Sequence, residues 1–456
     1  MATPKTDDYH ICTNEKECEC QQQPLLQDVE LQRAQCGRYC GAKRKPLMRR
    51  VAAACGKGLL LGIVIAFICP MILHRHVRPI WSHKEGIVIS EDSHRLNCVL
   101  RHNWTEYINS PEWSPKRFGA VTSFALPADA DSLSLLAHGS HQYGYVNFVK
   151  STEESDTVDV NVRVSYHSEG AIGRAAVCLT GNAEDEYGVG IFTLNHKGRR
   201  SEKDRLQFDV EVILPAGKNG ERLKIKQLET KLPSYTQHVG DLWKTVSFGR
   251  IALSSVNGHV SVDSVTAETG SFATSNGGIS GHFNAESLEL RTVNGPIRAS
   301  VVLLNREGAD PSTLVMHTGN GLIASEVTLT SDSTTGGKFD VDASTTNGFI
   351  NLAFTESPVG ATLKCNAKAA IGPVDITLAP EYEGSFSGNT VFGSAIVVER
   401  NVEDPEGKGR HREVSEHKAG RSVDGTIFWV ESDGSHAENE SSVEASTTVS
   451  AVKIYV

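Results

Sequence analysis

The dipeptide Asn-Gly returns five times in the same setting, and this repetition limits what the chain can fold into more than any other feature. Val256-Asn257-Gly258-His259-Val260 is followed by Ser275-Asn276-Gly277-Gly278-Ile279 and Val293-Asn294-Gly295-Pro296-Ile297. Gly319-Asn320-Gly321-Leu322-Ile323 and Thr346-Asn347-Gly348-Phe349-Ile350 come next. The asparagines are 19, 18, 26 and 27 residues apart, and Ile371-Gly372-Pro373-Val374 reads as a degenerate last copy. An alternating strand follows each pair, such as Phe349-Ile350-Asn351-Leu352-Ala353-Phe354. Asn and Gly both accept positive φ, so a chain reversal with left-handed backbone is expected at each pair. A unit this short cannot bury its apolar face alone, whereas stacked neighbours share a core. The expected fold is therefore all-β: β-solenoid-like stacked repeats over residues 246–376, with flanking antiparallel strands. A β-sandwich is the alternative.

Around the repeats, residues 121–245 form an N-terminal β region, with period-2 segments separated by Gly, Asn, Asp and Lys turns. Residues 377–456 form a C-terminal β cap carrying a charged loop at 401–422. Such a cap covers strand edges that would otherwise recruit other chains. Residues 78–120, with Pro79, Pro111 and Pro115, read as a stalk or lead-in.

The first 77 residues are of a different kind. Residues 1–50 read as a largely disordered tail, acidic up to Glu30 and basic from Arg33 to Arg50. Residues 51–77 read as one transmembrane helix, because 58–73 (GLLLGIVIAFICPMIL) carry no charge and a span needs about 20 residues. A signal peptide would start far nearer the N-terminus. Lys43, Arg44, Lys45, Arg49, Arg50 and Lys57 outweigh Arg75, Arg78 and Lys84 across the span. That bias predicts a cytoplasmic N-terminus and a lumenal or extracellular β domain, in the plasma membrane or an endomembrane. The sequons at Asn103 and Asn439 fit glycosylation on that side. Ala54, Gly58, Gly62 and Ala66 recur every four residues and offer a small-residue face for a homodimer of helices. Cys36, Cys40 and Cys55 lie where juxtamembrane palmitoylation occurs. Cys98, Cys178 and Cys365 in the large domain permit one disulfide, whose pairing the sequence leaves open.

Few residues suggest chemistry. There is no nucleophile elbow, phosphate loop or metalloprotease helix, and no cofactor or metal is expected. A net charge of −10 argues against nucleic acid as a partner. The one enzyme reading places paired carboxylates on a β-helical scaffold, as polysaccharide cleavage needs. Asp340 and Asp342 would share a strand face, with Asp263 and Asp375 at comparable points of other units. The plainer reading makes all four a solvated strand face. Glu184-Asp185-Glu186 offers carboxylates to calcium without the spacing of a calcium loop. The 404–412 loop mixes both charges and could meet an anionic partner.

The Asn-Gly strand units of 246–376 resemble bacterial adhesin-type repeat domains, which are β-solenoid-like. Residues 45–456 together resemble a fungal single-pass membrane-protein family, with its basic-flanked span and β-rich ectodomain. They share its Asp404-Pro405-x-Gly407-Lys408-Gly409-Arg410 loop before the Gly425–Trp429 strand. This resemblance implies no established activity and carries over no functional residue. The expectation is a membrane-anchored protein with a structural, adhesive or interaction role, meeting membrane lipid and protein or glycan ligands. A membrane-tethered polysaccharide-acting enzyme is the alternative.

Overall fold

The computed structural model describes residues 8–14, 17–22, 97–99, 104–109, 116–181, 185–194, 204–333, 335–436 and 439–456. The chain divides into two compact units, Met1–Ser90 and Glu91–Val456. In the first, Asp8–Asn14 pairs antiparallel with Glu17–Gln22, within the stretch read as largely disordered. The 51–77 span lies outside the described residues, as do Cys36, Cys40, Cys55, Ala54, Gly58, Gly62, Ala66 and Asn103. No helix among the described residues is long and apolar enough to cross a membrane.

The second unit is a stack of two-strand coils in two parallel columns. Chain flow within a coil is constant: a strand of column A, a corner, then a strand of column B. Along the stack, coil 1 is Glu186–Thr193 with Leu206–Ala216. Coil 2 is Ser132–His138 with Gln142–Glu154, and coil 3 is Leu223–Lys231 with Tyr235–Asp241. Val246–Ser254 opens coil 4. Val260–Ala273 closes coil 4 and opens coil 5; Ile279–Thr292 closes coil 5 and opens coil 6. Ile297–Asn305 completes coil 6. Coil 7 is Ser312–Asn320 with Ile323–Ser331, and coil 8 is Lys338–Asn347 with Ile350–Glu356. Thr362–Ile371 and Val374–Thr377 form coil 9.

All pairings between successive coils are parallel, and among the described residues no pairing joins the two ends, so the sheet is an open stack. Parallel stacking rules out a sandwich of antiparallel sheets for this region. It also extends on both sides of 246–376. Coils 1–3 lack Asn-Gly at their corners and turn through others, such as Leu232-Pro233-Ser234, so they carry no repeat signature.

Both ends depart from chain order. Coil 2 precedes coil 1 in the chain yet lies between coils 1 and 3. At the other end, Ser442–Val449 with Val452–Tyr455 is coil 10, inserted between coil 9 and coil 11 (Gly384–Thr390 with Ala395–Val398). Antiparallel strands then cover the ends. Thr157–Tyr166 and Ala175–Thr180 lie on coil 1, and Phe118–Pro127, Thr105–Ile108 and Asn97–Val99 extend them. The former lead-in thus supplies cap strands. Cys178 is disulfide-bonded, and the register sets Cys98 opposite it; Cys365 is free and buried. On coil 11 lies Ser422–Val430, paired to His411–Ala419.

The corner corrects one expectation from the sequence. None of Asn257, Asn276, Asn294, Asn320 and Asn347, nor the glycines after them, has a left-handed φ; only the degenerate Gly372 does, at 132°. The glycines are required by close approach instead. A Cβ on Gly277, Gly295, Gly321 or Gly348 would stand 1.9–2.2 Å from the preceding corner's glycine carbonyl oxygen. Strands on either side of Asn-Gly do not pair with each other, so each corner passes the chain between columns and makes no hairpin.

Side chains alternate about that corner for a reason. Two residues before each asparagine, an inward hydroxyl donates to a carbonyl of the preceding coil. Thr274 reaches Gly258 O (2.7 Å), Thr292 Gly277 O (2.8 Å), Thr318 Gly295 O (2.9 Å) and Thr345 Gly321 O (2.9 Å). These bonds satisfy buried carbonyls that the turn removes from the strand ladder. Outside, the asparagine amides form their own ladder. Asn276 donates to Asn257, Asn294 to Asn276, Asn320 to Asn294 and Asn347 to Asn320, at 2.7–2.9 Å. Two residues after the glycine, Val260, Ile279, Ile297, Ile323, Ile350 and Val374 turn inward, each at most 1% exposed. Each such burial contributes roughly 1.5–3 kcal/mol.

At the C-terminal cap, Asp404 organises the 404–412 loop. Its carboxylate accepts from Arg410 Nη2 (2.7 Å), Arg410 Nε (3.2 Å), Arg410 N (3.1 Å) and Glu406 N (3.1 Å). The guanidinium lies 5.6 Å from the Trp429 ring centre, and Trp429 N donates to the buried Glu383 carboxylate at 2.9 Å. The mixed charges of this loop are thus largely spent on each other.

Two expectations follow. Thr318→Val leaves the Gly295 carbonyl buried without a donor and should lower unfolding stability by about 1–3 kcal/mol in urea titration. Asn320→Ala should cost less, because water can replace the exposed amide. Arg410 holds the Asp404 carboxyl well below the usual carboxylate range. A depressed native pKa adds stability above the unfolded value near 3.9 and loses it as pH falls below that. Between pH 4 and 2 the wild type should therefore lose more stability than Asp404→Asn, read as the shift of the thermal midpoint with pH.

Candidate functional site

Outward positions of column A build a polar face over coils 7–11. In a strand every second side chain points out, and parallel register lines these up from coil to coil. One row runs Thr313, Asp340, Lys364, Ser442, Ser385. The next runs Val315, Asp342, Asn366, Glu444, Ser387, and the third His317, Ser344, Lys368, Ser446, Asn389. Neighbours along a row are about 4.8 Å apart.

Two shallow depressions adjoin on this face. One, of about 460 Å³, is lined by Asp340, Asp342, Lys364, Asn366, Lys368 and Glu444. The other, of similar size, lies between coil 10 and the cap hairpin and includes Ser387, His417, Asp424, Thr426 and Glu444. Gly425 in its lining lets the cap hairpin pack closely: a Cβ there would fall 2.0 Å from Ser415 O and 2.5 Å from the Phe386 ring. Ser442 and Glu444 belong to both, so the two join into one trough.

The polar groups are partly pre-arranged. Asn366 Nδ2 donates to Asp342 Oδ2 at 2.8 Å, while Asn366 Oδ1 is shielded from solvent without a hydrogen-bond partner. Ring nitrogen Nδ1 of His317 lies 2.8 Å from Ser344 Oγ. Burial pushes the His317 pKa below its ordinary value, reinforced by Arg291 and opposed by Asp342, so the imidazole favours its neutral form. Beneath the face, burial pushes the Cys365 thiol far up, which leaves it a small core hydrophobe rather than a nucleophile.

The four carboxylates singled out in the sequence are not brought together. Asp340 and Asp342 share the trough at alternate positions of one strand. Asp263 lies on coil 4 in column B, 3.4 Å from His238 Nε2. Asp375 lies on coil 9 in column B, in register with Asn351 and Lys453. Its Oδ1 is shielded without a hydrogen-bond partner, and burial raises its pKa against the pull of Lys453. No converging acid–base pair arises from these four residues. Among the described residues, no group of three or more His, Cys, Asp or Glu side chains is placed to hold a metal.

Asn439 is built into the fold. Its Nδ2 donates to Ala361 O at 3.0 Å, and its Oδ1 accepts from Ser441 N (2.9 Å) and Ser441 Oγ (2.7 Å). Ser441, 2% exposed, also accepts from Leu363 N. The Asn-x-Ser triplet clasps the entry of the inserted coil. Of the Glu184-Asp185-Glu186 turn, Glu184 lies outside the described residues; Asp185 has φ 65° and its carbonyl accepts from Asp131 N. The trough residues Lys364, Asn366, Lys368 and Glu444 were not singled out from the sequence. The alternation Lys364-x-Asn366-x-Lys368 marks an outward row, but only the insertion of coil 10 sets Glu444 beside it.

No family model matches the chain, and no curated protein matches it. Among solved structures, partial likeness is found to a candidate cell adhesion protein from Clostridium sporogenes (TM-score 0.16, 9% identity, covering 74% of this chain and 99% of that one). A candidate adhesin from Parabacteroides merdae gives TM-score 0.28 and 11% identity, over 57% and 90% of the two chains. Another from Bacteroides fragilis gives 0.27 and 7%, over 75% and 98%. All three scores fall below 0.5, and the likeness assigns neither family nor activity to this chain.

Proposed function

We propose that this chain is a membrane-anchored interaction protein whose stacked β-coils present the column-A trough to a protein or glycan ligand. One observation carries the reading: five coils hold charged and hydroxyl side chains in fixed, evenly spaced rows around two joined depressions. An extended ladder of this kind suits a long partner, because each coil adds equivalent contacts. Complementary charge there would set orientation and specificity more than raw affinity.

The anchoring rests on the charge-free 58–73 segment and its basic N-terminal flank. In this reading residues 78–456 are lumenal or extracellular, and the Ala54, Gly58, Gly62 and Ala66 face pairs two helices. Glycosylation at Asn103 and palmitoylation at Cys36, Cys40 and Cys55 belong to the same reading. Protease protection of a C-terminal tag in sealed vesicles checks the topology; digestion of the tag in intact vesicles overturns it.

The binding reading is tested with the full chain in nanodiscs, by glycan array and by pull-down against extracellular protein fractions. A specific ligand should be retained, and Lys364→Ala with Lys368→Ala should weaken it about tenfold, equivalent to roughly 1.4 kcal/mol. Those lysines are exposed, so the fold should be undisturbed. Ligand binding insensitive to every trough substitution, or turnover of a substrate at the trough, would sink the proposal.

A further inference from the structure

A further concavity lies away from the trough, where column B returns to column A. Residues 242–245 bulge between coils 3 and 4, and residues 306–311 bulge between coils 6 and 7. Between these two loops, Val260–Ala273 and Ile279–Thr292 run through the return corner with no loop at all. The result is a saddle of about 600 Å³, within the usual range of ligand sites.

Its floor is a small internal repeat. Val265-Thr266-Ala267-Glu268 lies in register on Phe283-Asn284-Ala285-Glu286. Ala267 and Ala285 are 6% and 3% exposed and keep the floor low. Glu268 and Glu286 follow in step, and Arg306 from the far loop reaches over both, 3.6 Å from Glu268 and in closer contact with Glu286. Thr266 and Asn284 line the floor with polar groups.

The near wall is basic. Arg222, Lys224 and Lys226 come from coil 3 and its lead-in. Lys226 pairs with Asp131, whereas Arg222 and Lys224 are exposed and have no carboxylate partner among the described residues. Two uncompensated cations facing a saddle are notable in a chain of net charge −10. Trp243, 43% exposed, stands on the 242–245 loop. Its carbonyl accepts from Thr266 Oγ1 at 3.3 Å, which fixes the loop at the rim.

We propose that this saddle binds an acidic oligosaccharide, with Arg222 and Lys224 meeting its carboxylate or sulfate groups. Thr266, Asn284 and the Glu268–Arg306–Glu286 bridge face its hydroxyls. Peptide capture by strand addition needs a free sheet edge, and every strand of coils 3–6 is already paired on both sides. The floor also lacks a deep apolar pocket to anchor a side chain. A carbohydrate asks for neither: it needs closely spaced polar groups, which Thr266, Asn284, Glu268 and Glu286 supply, and an acidic one needs the cations of the near wall.

The test is calorimetric titration of the detergent-solubilised full chain with a galacturonate hexamer, its methyl ester and a sulfated hexasaccharide. At least one acidic oligomer should bind, and affinity should fall as salt rises. Arg222→Ala with Lys224→Ala should weaken it about five- to tenfold, the loss expected for two exposed ion pairs. Lys364→Ala with Lys368→Ala, in the separate trough, should leave it unchanged. Binding of neither acidic oligomer, equal binding of the ester, or indifference to the Arg222 and Lys224 substitutions overturns the proposal. So does equal binding of a hexaglutamate peptide, which would make the saddle a general polyanion surface.

Discussion

The inward hydroxyl bond at each corner is the constraint on which the rest of the second unit depends. A coil that turns sharply takes its corner carbonyl out of the strand ladder, and an unpaired buried carbonyl is costly. Thr274, Thr292, Thr318 and Thr345 each cancel that cost for the coil before. The bond requires corners to stack closely, and close stacking leaves no room for a Cβ on the next glycine. One contact thereby selects threonine, glycine and the inward Ile or Val together, and the asparagine ladder outside follows from the same stacking.

Where this corner chemistry lapses, the stack is held by other means. Coil 9 has Ala369 at the threonine position and Ile371 at the asparagine position. The pattern resumes out of chain order: Thr447 of coil 10 reaches Gly372 O, and Thr390 of coil 11 reaches Ser450 O, both at 2.8 Å. Insertion of the last coil between two earlier ones therefore uses the same bond as the regular coils. At the ends the problem is different, because open parallel edges recruit other strands. Antiparallel strands cover both ends of column A, and the Asp404–Arg410 loop, packed beside Trp429, braces the C-terminal cap.

Function on such a scaffold is a matter of what the rows expose and where the corners bulge. Rigid register converts alternation in each strand into the rows of the trough. Loop length at the return corner, zero in two successive coils and several residues on either side, produces the saddle. Neither surface requires the core to change, so outward residues are free to specify a ligand while inward ones keep the stack.

Much of this was legible in the sequence, and the boundary is physical. Periodic Asn-Gly, the strand alternation after it and the shortness of each unit determined an all-β stack, because these are local properties of consecutive residues. The backbone conformation at those corners was not legible: the same dipeptide serves a left-handed hairpin turn or a tightly stacked corner, and only a neighbouring carbonyl distinguishes them. Nor was the separation of the four carboxylates: Asp263 and Asp375 follow a corner and lie in column B, whereas Asp340 and Asp342 precede one and lie in column A. Glu444 joined Asp342 and Asn366, and Arg222 came to face Glu268 and Glu286, through parallel pairing of segments 18 or more residues apart. The sequence by itself determined that coils form and which side chains turn inward. Only the tertiary structure decided the order in which the coils stack, and with it which outward side chains meet, because that order depends on inter-coil hydrogen bonds that no local pattern records.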